Sequence, residues 1–398
     1  MCSMRAATDD SRAAAVSAAA RAGDYLPALT GLRGVAAGWV LLFHLWEFSG
    51  SPSLALRVAH HTIDFTPLVS CGFLGVDLFF VLSGFLLSIP FHRSTLRRTP
   101  APSLLTFWER RCRRVLPAYY LQLAIIIAVT LFVGDAASLT STNLISHVLL
   151  AQNFVPIRET LNGVYWSMPI EWDFYVILPL LALLLARLRA WLVLFAMMAL
   201  ALTFRIACYR AAFDPAWARY LDYGYIMQLP ARLDEFFFGV LGAWLYVRAP
   251  MSRRAAQCVI LAGAIGIGIA MTVWTSLGNY IVMLQLPWLL LHFSWLGAAF
   301  GAFVLGAASQ LSWFCGRALS WLGLISYSLY LWHYPLLRAG QHFHWLATGS
   351  AAALLRTAVI MVPPILLVSW LSQHFVERPF LAAHQRKVAD LQQATAAL

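Results

Sequence analysis

The chain has 398 residues, of which 61% are hydrophobic and only 11% charged, and its mean hydropathy is +0.72. A soluble domain is nearer half apolar and a quarter charged, and 16 Trp with 25 Phe would leave more exposed apolar surface than a water-soluble monomer tolerates. The net charge of +11 can mark a nucleic-acid binder, but the basic residues fall between apolar segments, which points to membrane topology and to no nucleic-acid partner. The six cysteines, at positions 2, 71, 112, 208, 258 and 315, have no paired spacing, so neither a disulfide framework nor a metal site is expected.

Residues 1–27 are rich in Ala, Ser and Arg and hold Asp9, Asp10 and Asp24 without a bulky apolar core. They are expected to be a disordered cytoplasmic tail, not a cleaved leader. Apolar stretches close to the ~20 residues that cross a bilayer follow at 32–49, 71–90, 115–133, 166–186, 190–207, 226–247, 257–277, 281–308, 321–340 and 351–375. The fold class is therefore an all-α polytopic membrane protein, a bundle of about ten transmembrane helices over 28–380. Segment 143–157 is too short to span and is placed at the outer surface. Residues 381–398 form a second tail. With the N-terminus inside, most of the 28 basic residues fall on the cytoplasmic side, so both termini are expected there.

Ionisable groups within spans are costly and usually serve a purpose. The first span carries Arg33 at its inner mouth, His44 eleven residues on and Glu47 one turn further; eleven residues correspond to ~16 Å along a helix axis. A His beside a carboxylate in a cavity is a candidate general base. A core histidine bonded to a neighbouring helix fits this helix equally well. The second span places Asp77 in its outer half and Ser83-Gly84 further in, small residues that admit another backbone or a slender ligand. Arg111 and Arg114 share one helix face in a cytoplasmic arginine run. Such a pair suits phosphate, and a lipid-facing patch would explain the charge alone. Trp166, Glu171, Asp173 and Tyr175 open the fourth span, Arg232 and Glu235 the sixth, and His333 lies in the ninth. Arginines at the inner face and acid/base groups nearer the outside suit a phosphate-bearing donor whose reactive end reaches outward.

Stretches Leu29–Gly34 with His44, Phe73–Phe85, Arg111–Tyr120, Trp166–Tyr175, Arg232–Phe236, Ile325–His333 and Glu377–Pro379 resemble, in order and over nearly the whole chain, the bacterial membrane acyltransferase-3 family. That family includes O-antigen and exopolysaccharide O-acetylases, nodulation-factor acetylases and macrolide acyltransferases. The resemblance implies a bacterial inner-membrane enzyme that moves an acyl group, by default acetyl, from cytoplasmic acyl-CoA to a hydroxyl of a glycan, lipid-linked sugar or macrolide. No bound cofactor and no metal is implied. Arg33 and His44 match the family's Arg–His motif, and Arg111 and Arg114 match the Arg-x-x-Arg motif that holds the CoA phosphates, with Ser83 beside the donor. His44 is then the base, supported by Glu47 or Asp77, with Glu171 as a further catalytic candidate. Trp166, Tyr175, Arg232, Glu235 and His333 are left to position the acceptor. Two departures stand out: the family's acid lies a little further beyond the His than Glu47, and Met168-Pro169 after Ser167 is unusual. Some members carry a C-terminal esterase-like domain; none is expected after Pro379. A transporter or flippase of a lipid-linked glycan would use similar polar groups without needing an acyl donor.

Overall fold

The structure is a computed structural model that describes residues 26–58, 60–133, 139–154, 160–212, 227–276, 290–310 and 316–382. The expected tails 1–27 and 381–398 fall almost wholly outside the described residues. Helix α1 (Pro27–Phe48) begins with Pro at its first position, where a missing N–H costs nothing. A hairpin follows, β1 (Ala55–Val58) and β2 (His61–Asp64), with Leu56 opposite Ile63. It was not foreseen, because four-residue strands give too short a pattern to separate from a loop. The chain continues as α2 (Gly75–Arg97), α3 (Leu104–Val133), the short α4 (Ser141–Val148), α5 (Ser167–Arg187) and α6 (Ala190–Ala212). Next come α7 (Leu229–Arg248), α8 (Arg253–Ser276), α9 (His292–Gln310), α10 (Arg317–Leu324), α11 (Ser326–His342) and α12 (Ala351–Ser372), which ends in a π-helical turn, Gln373–Glu377.

Among the described residues eight helices are long and apolar enough to cross a membrane. Two expected spans fall short for identifiable reasons. Helix α7 carries Arg232, Asp234 and Glu235 near its start, and α11 is 17 residues long. The stretch 321–340, expected as one helix, is broken at Ile325, where α10 ends and α11 begins. Helix α3 starts well before residue 115 and runs for 30 residues. Segment 143–157 holds α4 and not a span.

Burial sorts the helices into centre and rim. Of the apolar window in α2, 72% is buried, against 17% in α6 and 22% in α8. Rim helices present Phe132, Phe195 and Leu261 outward, as a lipid-facing surface requires. At the centre, α2 and α7 meet backbone to backbone: a Cβ on Gly84 would lie 2.1 Å from the Phe236 carbonyl oxygen, and one on Gly239 2.1 Å from that of Val81. A second contact of this kind joins α1 to α10, where a Cβ on Gly34 would meet Leu319 O at 2.3 Å and one on Gly323 would meet Thr30 O at 1.9 Å. Small residues are what allow such approach in a bilayer, where apolar burial gives helices no reason to associate. The second contact sets Arg33; the first aligns Asp77 with Arg232.

Gly239→Leu should therefore lower the thermal unfolding midpoint in detergent, by the equivalent of about 1–3 kcal/mol or more. Gly268→Leu, where no atom lies within 4 Å of an added Cβ, should leave it unchanged. Equal midpoints for the two variants would show that the α2–α7 contact is not tight.

Candidate functional site

The hairpin end of the bundle holds a cavity of about 960 Å³, and His44, Glu47, Asp64, Asp77, Trp166 and Arg232 are in its lining. Helix α1 supplies His44, the turn after β2 supplies the rim, and α2 and α7 supply the deeper charges. At the rim, the Thr66 hydroxyl and backbone N–H hold the Asp64 carboxyl below its usual range, the amide lying 2.8 Å away. Asp64 therefore stays ionised well below neutral pH.

His44 is fixed by hydrogen bonds that also decide its tautomer. His333 Nδ1 lies 2.9 Å from Leu329 O, and a carbonyl oxygen can only accept, so the proton is on Nδ1 and Nε2 of the neutral ring is bare. That Nε2 is 3.1 Å from His44 Nδ1, which is itself 3.0 Å from Val40 O. His44 Nδ1 thus carries its proton and donates to both. The lone pair of neutral His44 is left on Nε2, in a ring that lines the cavity. Tyr334 packs edge-on against the same ring at 5.3 Å between centroids.

Glu47 was expected to orient His44. It lines the same cavity but is exposed and has no hydrogen bond or ion pair to His44; His333, expected to position the acceptor, takes that place. The i+3 spacing put Glu47 on the right face of α1 but one turn too far toward the mouth. Asp77, the alternative orienting acid, is engaged elsewhere: Arg232 Nη1 lies 2.6 Å from it and 2.8 Å from Glu235. Arg232 also stands 3.7 Å above the Phe293 ring.

A second buried arginine went unnoticed in the sequence. Arg205 of α6 is fully buried and donates to Ala231 O at 2.8 Å, Leu290 O at 2.8 Å, Ser294 Oγ at 3.0 Å and Asp234 Oδ1 at 2.7 Å. Ser294 donates in turn to the other oxygen of Asp234. An arginine inside an apolar span was the available signal. The network ties the rim helix α6 to α7 and α9.

Toward the opposite end lies a pocket of about 30 Å³, lined by Arg33, Ser83, Arg111, Arg114, Glu171 and Tyr175 along with Tyr327. Four residues assigned to the donor thus meet. Glu171 and Tyr175, assigned to the hydroxyl chemistry and the acceptor, sit with them and not in the large cavity. Glu171 accepts from the Ser83 hydroxyl at 2.9 Å. The pocket has room for about one water, yet the Nε atoms of Arg33 and Arg111 are buried without a hydrogen-bond partner among the described residues. Buried guanidinium donors without acceptors are expensive, and an anion would satisfy them. Behind the pocket, Glu377 of the π-helical turn is buried and accepts from Ser328; it was recognised only as part of a motif.

Phe79 and Tyr330, with ring centroids 6.4 Å apart, lie between the two. Tyr330 OH donates to Val164 O at 2.9 Å and accepts from Ser167 Oγ at 2.7 Å. Arg33 Cζ is 6.0 Å from the Phe79 ring and Tyr330 lines the large cavity, so this aromatic layer of two rings runs from the arginine pocket to the histidine cavity. Asp173 is half-buried and joins neither.

A family described as an acyltransferase domain matches residues 26–374. The O-acetyltransferase OatA of Staphylococcus aureus is 25% identical over 340 residues, covering 79% of this chain and 51% of the relative. The peptidoglycan O-acetyltransferase OatA of Listeria monocytogenes is 26% identical over 89% of the chain and 56% of its own length. A protein of Komagataeibacter xylinus, provisionally named as a membrane-bound transacylase, BcsY, is 27% identical over 93% of the chain and 86% of its own length. The chain thus spans about half the length of the OatA relatives. No solved structure matches it.

Removing one member of the Arg205–Asp234 pair leaves a buried charge uncompensated, which typically costs about 3–5 kcal/mol. Arg205→Met should therefore destabilise strongly, and Arg205→Met with Asp234→Leu by clearly less than the sum of the single variants, as chemical unfolding would register. Additive losses would mean that the pair is not coupled.

Proposed function

This chain belongs to the acyltransferase-3 family, and we propose on that premise that it is a membrane O-acyltransferase moving an acyl group from acyl-CoA to a hydroxyl of a glycan acceptor. The observation that carries the reading is the His44–His333 pair, which leaves a bare imidazole nitrogen in a cavity large enough for a sugar. The orphaned nitrogens of Arg33 and Arg111 support phosphate binding toward the opposite end of the bundle. Arg111 and Arg114 take the donor's phosphates there, and Arg33 lies between them and the aromatic layer. This arrangement favours ten spans, counting α7 and the α10–α11 segment. It also favours both termini and the arginine pocket on the cytoplasmic side of a bacterial inner membrane, with the hairpin outside. The OatA relatives, one of them named for peptidoglycan, support a cell-wall or other surface glycan as acceptor, and acetyl as the acyl group.

In the reaction, His44 Nε2 takes the proton of the acceptor hydroxyl as its oxygen attacks the thioester carbonyl. The carbon–sulfur bond then breaks, and the CoA thiolate recovers the proton from the imidazolium. His333 Nε2 accepts from His44 Nδ1–H throughout. It fixes the tautomer and stabilises the cation formed in the transition state, the role a carboxylate has in other triads.

Label from acetyl-CoA should enter the glycan fraction with membranes carrying wild type. His44→Ala should reduce the rate about 10²–10⁴-fold in folded protein. His333→Ala should lower kcat with KM for the donor unchanged, and Arg111→Gln should raise KM for the donor with less effect on kcat. Transfer by His44→Ala at the wild-type rate would remove the base from the mechanism. A wild type that moves glycan across the membrane without changing its mass would replace the enzyme with a transporter.

A further inference from the structure

At the end of the bundle opposite the His44 cavity, three central helices finish side by side: α2 at Arg97, α7 at Arg248 and α9 at Gln310. Between their ends lies another cavity, of about 410 Å³, that shares no lining residue with the arginine pocket. Arg93 and Arg97 form one wall; four residues apart on a helix, they stand one above the other on one face. Tyr246 and the turn through Pro250 and Met251 form the facing wall, and Ser309 and Gln310 at the end of α9 complete the lining. The Gln310 side chain is bonded to Met251 O, which ties α9 to the turn.

Among the described residues that line this cavity, the charged ones are Arg93 and Arg97. Arg98, Arg248, Arg253 and Arg254 flank it in sequence, and neither 91–99 nor 244–254 contains an Asp or Glu. Three helix C-termini bring partial negative charge, roughly half an elementary charge each, which the arginines far outweigh. Topology accounts for arginines at these helix ends but not for a concave site with two guanidiniums one turn apart. Arginine forks match phosphate oxygens in pairs, and basic pockets between transmembrane helices on the cytoplasmic side take phospholipid headgroups.

We propose that the cavity between the ends of α2, α7 and α9 is a phosphate-binding site, held by Arg93 and Arg97, for the phosphodiester of an anionic lipid or the phosphate of a soluble ligand. The site is independent of the acyl-transfer reading and would stand if that reading failed.

The full chain is reconstituted in nanodiscs of phosphatidylcholine with a minor fraction of phosphatidylglycerol, and the lipids it retains are counted by native mass spectrometry. A second arm titrates inorganic phosphate and CoA into discs of phosphatidylcholine alone, with R111Q/R114Q present in every protein compared so that the arginine pocket does not contribute. Preferential retention of phosphatidylglycerol by wild type, reduced about tenfold by R93Q/R97Q, supports the site and assigns it to lipid. Binding of phosphate or CoA weakened about tenfold by the same variant supports it and assigns it to a soluble ligand. In either case R93K/R97K, which keeps the charge without the fork, falls between. Arg97 is exposed, so R97Q alone guards against misfolding and should shift the same readout in the same direction. Equal lipid retention and equal phosphate and CoA binding by wild type, R97Q and R93Q/R97Q would overturn the proposal.

Discussion

Two helix backbones in direct contact hold the centre of this protein together. With no side chain at Gly84 or Gly239, α2 and α7 approach until each glycine faces the other helix's carbonyl groups. That spacing lets Arg232 reach Asp77 at 2.6 Å while holding Glu235 at 2.8 Å. A charge cluster of this kind is tolerable within a bilayer only when partners are supplied. Here Phe293 covers Arg232 and Arg205 and Ser294 hold the neighbouring Asp234, while Glu235 Oε2 is buried without a hydrogen-bond partner among the described residues. The floor of the large cavity is the surface of that cluster, so the shape of the site follows from the glycine contact.

Much of this was legible from the amino acids, and the parts that were not have a common physical cause. Long apolar segments announce themselves by composition, and for that reason α1, α5, α6, α8 and α12 fall close to their expected bounds. The break at Ile325 leaves hydropathy unchanged and cannot be seen in it. Local spacing put His44 and Glu47 on one helix face, yet the partner that His44 takes is 289 positions away. A sequence offers neighbours in the chain before neighbours in space. Similarly, Glu171 near the start of its span reads as shallow, whereas the depth of α5 in the bundle sets it against Arg33 and Arg111.

The grouping of residues survived better than their individual roles. Arg33, Ser83, Arg111 and Arg114 line one pocket, and His44, Asp77, Trp166 and Arg232 another. Charge type and position along each helix carried this division in part: Glu171, expected in the outer set, sits with the arginines, and Asp173 lines neither pocket. Which carboxylate or imidazole serves which partner depends on helix rotation and on who lies across the interface, neither of which periodicity supplies.

The aromatic layer of Phe79 and Tyr330 has a consequence at the scale of the cell. In the proposed orientation the large cavity opens toward one membrane face and the arginine pocket toward the other, with the Phe79–Tyr330 pair between them. A continuous file of water through the protein would short-circuit the ion gradients that the membrane maintains. The Tyr330 hydroxyl, held by Val164 and Ser167, fixes one of the two rings of that pair. Under the proposed function the same pair sets a steric limit: only a slender part of the donor passes Phe79, and the bulk of donor and acceptor stays on its own side.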